Sequence, residues 1–260
     1  LPKGELLAVL QERPNAPRFD PCLAGGLRAW LEDAAFGVAS ARGEGMSPLF
    51  VGPRRVLGSP ESAPREGLST ERVLSRLVRA LFRQLVTVGT VGEPMADALD
   101  ALRADGGSDG VVEHVESLAR APRAVLTEAL GAHTAHLRDL VPRFAPSWMP
   151  RSEDRLAIPL AGGRVVLGGA IDLLVGAGRC HDAPLGAIGL VTEGPWEAER
   201  RSLHYLVLLE TLRAGAPPFR MALLESATGR HGVEDVREEH VRAVAAHVAA
   251  WLSEEARRVG

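Results

Sequence analysis

Residues 155–177 read RLAIPLAGGRVVLGGAIDLLVGA, and residues 187–227 read AIGLVTEGPWEAERRSLHYLVLLETLRAGAPPFRMALLESA. RLAIPL and RVVLGGAIDLLV are rich in branched apolar residues and are joined by Ala161-Gly162-Gly163. Two such runs with a Gly-Gly link predict a β-hairpin, because glycine admits the positive φ that a tight reversal requires. Gly168-Gly169, inside the second run, predict a bend, a bulge or the close approach of another backbone. A lone acid, Asp172, interrupts the apolar residues of that run. In AIGLVT, Ala187, Gly189 and Val191 share one face, while Ile188 and Leu190 share the other. Residues 196–212 predict a helix ended by Gly215 and Pro217-Pro218. FRMALLESA predicts a fourth strand, and residues 233–258 a closing amphipathic helix.

Upstream the helical period dominates. Leu23, Leu27, Trp30, Leu31 and Ala34 fall on one helical face. Residues 43–67, rich in Gly and Pro, predict a connector with room for one short strand at PLFVG. Ser69 opens a helix in which Val73, Leu77, Val78, Leu81 and Leu85 form an apolar stripe. Arg72, Arg76, Arg79 and Arg83 line its other side. An arginine row can track a phosphate backbone, and it is more often a solvated face. Residues 93–105 predict another helix, and residues 110–143 a longer helical segment broken near Pro122. There His133 and His136 stand at i and i+3, a spacing that metal ions use. With no third ligand at a telling spacing, histidines on a helix surface are the simpler reading. The expected organisation is a mainly helical region over residues 1–150, packed on an α/β core over residues 151–260 as one compact unit.

The chain of 260 residues is 46% hydrophobic, enough for a sizeable core, and its net charge of −3 gives no global basic surface. Lys3 is the only lysine, so chemistry needing a lysine elsewhere is excluded. Cys22 and Cys180 form neither a disulfide framework nor a metal motif, so a reducing cytoplasm is expected. No apolar run reaches the roughly 18–20 residues of a membrane span, and no charged-then-apolar targeting segment opens the sequence. Neither a G-x-S-x-G elbow nor a dinucleotide or P-loop glycine fingerprint is present.

The succession hairpin, strand, helix, strand, helix, with GGAIDLLVG in its second strand, resembles the PD-(D/E)XK nuclease superfamily, most closely its RecB-like branch. The resemblance implies an α/β (α+β) restriction-endonuclease-like core, with a mixed central sheet flanked by helices and preceded by a helical region. In that family the aspartate of G-x-x-D binds a divalent ion, and Asp172 matches it. The next strand carries D/E-x-K in active relatives, because two carboxylates hold Mg²⁺ or Mn²⁺ against the scissile phosphate while the lysine orients water. Here the acid position falls on Gly189 and the lysine position on Val191. The following helix keeps the family's Tyr at Tyr205, with Arg201 where Gln is expected. Upstream, Ser75 is nearest to the family's metal-binding histidine. Cluster-bearing relatives, which need four cysteines, are excluded.

The leading expectation is a catalytically impaired nuclease-fold protein of DNA metabolism, acting in nucleic-acid binding or as a scaffold, with a protein partner in a DNA-processing complex. Arg72, Arg76, Arg79, Arg83, Arg200, Arg201 and Tyr205 are its candidate nucleic-acid contacts, and no cofactor is expected. One alternative is an active Mg²⁺- or Mn²⁺-dependent DNA nuclease with a rearranged metal and catalytic site at Asp172 and Glu193. Another is a protein–protein module without a nucleic-acid role, and under either binding reading an acid within a strand serves hydrogen bonding or pairs with an arginine.

Overall fold

The Gly-Gly link makes the turn it predicts. β2 (Arg151–Leu160) and β3 (Val165–Val175) pair antiparallel, in register from Leu160 with Val165 to Arg151 with Leu174. Ala161, Gly162 and Gly163 take φ of 50°, 66° and 84° in succession, a path that the two glycines follow at no steric cost and that strains Ala161. The computed structural model describes Leu6, Leu10 and residues 19–43, 45–58, 68–106, 110–141, 143–144, 148–176, 186–192 and 194–260.

The protein is mixed α/β, with a mixed six-stranded sheet flanked by helices. β1 (Leu49–Val51) runs parallel to β3, and β4 (Gly186–Val191) runs antiparallel to it. β4 pairs in parallel with β5 (Arg220–Glu225), which pairs antiparallel with β6 (His231–Asp235). β1 is the short strand allowed for at PLFVG. β6 corrects the expectation of a helix from residue 233. His231–Asp235 forms a hairpin with β5 instead, with Arg220 Nε 2.8 Å from Asp235 Oδ1 across the register pair Arg220–Asp235.

The helices with defined bounds among the described residues are α1 (Leu23–Arg42), α2 (Pro53–Val56), α3 (Thr70–Thr87), α4 (Pro94–Ala104), α5 (Val111–Ser117), α6 (Arg120–Leu140), α7 (Trp196–Ala214) and α8 (Glu238–Val259). Ser69 caps α3 by accepting the Arg72 N–H at 3.2 Å, satisfying one of the free donors of its first turn. The predicted break near Pro122 falls earlier, between α5 and α6, and Pro122 sits in the first turn of α6, where its missing N–H costs nothing. No helix among the described residues is long and apolar enough to cross a membrane.

Strand alternation divides the apolar side chains between two cores. Leu156, Ile158, Leu160, Ala187, Val191, Met221 and Leu223 pack with α1, α7 and α8. Leu173, Val175, Ile188, Leu190, Ala222 and Leu224 pack with α3 to α6. The helices upstream of residue 150 are therefore shared between the two faces of one sheet. Along β3 the phase of alternation changes at Asp172. Val165, Leu167 and Ile171 lie in the first core, whereas Leu173 and Val175 lie in the second. Glu153, between the partners of Ile171 and Leu173 on β2, takes a left-handed φ of 49°.

Candidate functional site

β1 pairs with Val165–Leu167 of β3 and β4 with Leu173–Val175, while β2 covers the opposite edge. On the β1/β4 edge, residues 168–172 of β3 thus face no strand among the described residues, and β4 diverges from β3 as a fork. Buried backbone groups at such a fork need side-chain partners. At one end the Tyr205 hydroxyl accepts the Gly168 N–H and donates to the Val51 carbonyl at 2.7 Å. At the other, Asp172 Oδ2 accepts the Leu190 N–H at 2.7 Å. The Arg79 guanidinium, reaching down from α3, pairs with Asp172 Oδ1 and donates to the Leu190 carbonyl at 3.1 Å. Two side chains therefore satisfy the Leu190 groups that a continuing ladder would have bonded.

A cleft of about 320 Å³ opens over this fork. Its charged lining is Arg54, Arg76, Arg79, Arg155, Glu153, Asp172 and Glu199, and its apolar wall is Leu190, Leu203, Leu206 and Leu223. Burial lowers the pKa of Arg79, opposed by the negative charges of Glu199 and Glu153. An arginine starts so far above neutrality that it stays charged. Glu153 is engaged by Arg83 at 2.9 Å, and Arg83 also pairs with Asp105. Among the described residues Arg54 and Arg155 form no ion pair, and both are exposed.

Two of the arginines expected to meet nucleic acid, Arg76 and Arg79, join Asp172 at this cleft. Arg72 is exposed in the first turn of α3, and Arg83 is held by its two acids. Arg200 lies outside the cleft, gripped by Glu234 at 2.9 and 2.7 Å, and those bonds raise its pKa. Arg201 is exposed, with Nε 3.3 Å from the Glu197 carbonyl. Tyr205 is a correction. It is 0% exposed, burial raises its pKa, and its hydroxyl is engaged inside the sheet, so it presents no surface to a ligand. Glu193 lies outside the described residues.

Sequence reasoning missed Arg54 and Arg155. Arg54 follows β1 in a segment expected to be a connector, and Arg155 occupies an outward position of the β2 alternation. That alternation was the one available signal.

The positions where the resemblance would place an acid and a lysine are packed with carbon. A Cβ at Gly189 would lie 3.0 Å from Leu223 Cδ2 and 3.4 Å from Leu203 Cδ2. Val191 is 1% exposed. The Ser75 hydroxyl lies 2.7 Å from Thr192 Oγ1. Among the described residues no group of three or more His, Cys, Asp or Glu is placed to hold a metal ion. A divalent ion does not fit Asp172 as it stands, because a guanidinium already occupies one carboxylate oxygen and a backbone N–H the other. The helical pair serves packing as well. His133 Nδ1 lies 2.8 Å from Ser226 Oγ and His136 Nδ1 lies 3.0 Å from the Ser226 carbonyl, pinning α6 to the end of β5. Burial, with His136 adding to it, lowers the pKa of His133.

Comparison of the chain with protein-family models, curated proteins and solved structures gives no match.

Proposed function

We propose that this chain is a DNA-metabolism protein with a PD-(D/E)XK-like, RecB-like core that binds nucleic acid without cutting it. The observation that carries the reading is the Arg79–Asp172 pair in the fork. The one acid that matches the family motif is neutralised by an internal cation. That cation holds a carboxylate oxygen and a backbone carbonyl, the kinds of oxygen a hard divalent ion takes. Gly189 and Val191, packed against leucines, add neither the second acid nor the lysine. Among the described residues phosphoryl cleavage therefore lacks its Lewis acid and its water-orienting base, while Arg54 and Arg155 line an open cleft.

Filter binding at low salt tests the reading, using labelled single-stranded and duplex DNA with Mn²⁺ present. Retention that weakens steeply with added salt, together with intact DNA, is the expected result. No affinity for either form would sink the nucleic-acid claim. Mn²⁺-dependent degradation that disappears in Asp172→Ala would restore the nuclease.

A further inference from the structure

The sheet carries a second surface that leads into the cleft. At the β1–β3–β2 end, only one face is covered by helices among the described residues. On the other, Phe50, Val166 and Pro159 stand side by side in register, followed by Gly168 beside Ala157 and Ala170 beside Arg155. Phe50 is 68% exposed, and with Val166 and Pro159 beside it the exposure belongs to an apolar patch and not to a lone side chain. Pro159, Ala157, Ala170 and Arg155 are exposed as well. The small side chains leave a flat floor that runs about 13 Å from Val166 to Ala170, at the rise of an extended strand. Ala170 and Arg155 are themselves cleft residues, with Arg54 beside them.

We infer that this open face is a base-stacking track that delivers one nucleic-acid strand, with its bases unpaired, to the arginine cleft. The inference rests on the nucleic-acid reading above and adds to it the form of the ligand. Single strands are held without sequence preference by aromatic faces for bases together with cations for the backbone. Phe50 supplies the first. Arg54 and Arg155, which form no ion pair among the described residues, supply the second. Glu153 and Asp172 do not cancel them, since each acid is held by an arginine of α3, and Glu199 is the remaining negative charge on the lining. A duplex, whose bases are stacked on one another, has no face to give Phe50. That asymmetry makes the track testable.

The experiment measures fluorescence anisotropy at about 50 mM salt, where phosphate contacts are strong, for a labelled oligonucleotide presented single-stranded and as a duplex. Wild-type protein is compared with Phe50→Ala and Arg155→Gln, both at exposed positions, with circular dichroism as the check on folding. Phe50→Ala is expected to weaken single-strand binding about five- to hundredfold and to leave duplex binding unchanged. Arg155→Gln is expected to weaken binding and lower the salt slope by about one. Binding that ignores Phe50→Ala, or that falls equally for both forms, overturns the track and leaves nucleic-acid binding standing, with a protein partner then indicated for the face. Failure of the wild type to bind either form overturns the underlying reading.

Discussion

Arg79 and Asp172, from α3 and β3, meet in the fork of the sheet, and the same guanidinium reaches the Leu190 carbonyl. Both side chains are mostly shielded, at 28% and 15% exposed. Removing one partner of such a pair leaves a charge in a poorly solvated place. The cost is 3–5 kcal/mol in full burial, and about 2 kcal/mol is expected with this exposure. Asp172→Ala should therefore lower stability in urea unfolding, and Asp172→Asn, which can still accept the Leu190 N–H, should cost less. A variant as stable as the wild type would show that the pair does not hold the fork.

An acid at Gly189, where the resemblance would place one, should not create a nuclease. Gly189→Asp forces a Cβ against Leu203 and Leu223 and adds a charge to a leucine-walled site. Overpacking alone costs about 1–3 kcal/mol. A lower melting temperature with no Mn²⁺-dependent cleavage is expected. Cleavage by this variant would mean that the fork opens enough to seat a metal.

Tyr205→Phe isolates the other end of the fork. The hydroxyl satisfies both the Gly168 N–H and the Val51 carbonyl. Leaving these buried groups unpaired should cost about 1–3 kcal/mol. Nucleic-acid affinity should stay at the wild-type value, because the ring is wholly buried. Loss of affinity without loss of stability would contradict that placement.

His133 gives the fold a pH dependence of definite sign. Its folded-state pKa lies below the ordinary 6.5, first through burial and then through His136. Below that value the unfolded chain binds more protons than the folded one. The stability contribution is therefore complete above about pH 6.5 and is lost as the pH falls toward the folded pKa. Chemical denaturation at pH 7.5 and pH 5 should show a smaller loss for His133→Asn than for the wild type. Equal losses would remove His133 as a source of the dependence.

The hairpin and β4 were legible because alternation and Gly-Gly are local signals that the sheet obeys. β6 was not, since HGVED carries one branched apolar residue, and its strand character comes from pairing with β5. At the candidate site, the arginine row of α3 was visible. Which of its members meets Asp172 was not, because α3 and β3 are brought together by packing alone. Arg54 and Arg155 converge from separate elements, and no spacing rule joins them. Tyr205 was assigned to binding by resemblance, while its burial follows from the shape of α7 against β1 and β3.

The pairing of Leu49 with Val165 has a kinetic consequence. Among the described residues β1 has no other strand partner, so its ladder cannot form until β3 is present, more than a hundred residues later in the chain. Contacts this distant in sequence slow folding, because the loop must be closed before any bond rewards it. During synthesis Phe50 and its neighbours must wait, unpaired, for the second half of the polypeptide. The waiting segment PLFVG is short and is bounded by Pro48 and Gly52-Pro53, residues that blunt its pairing with other chains in the interval.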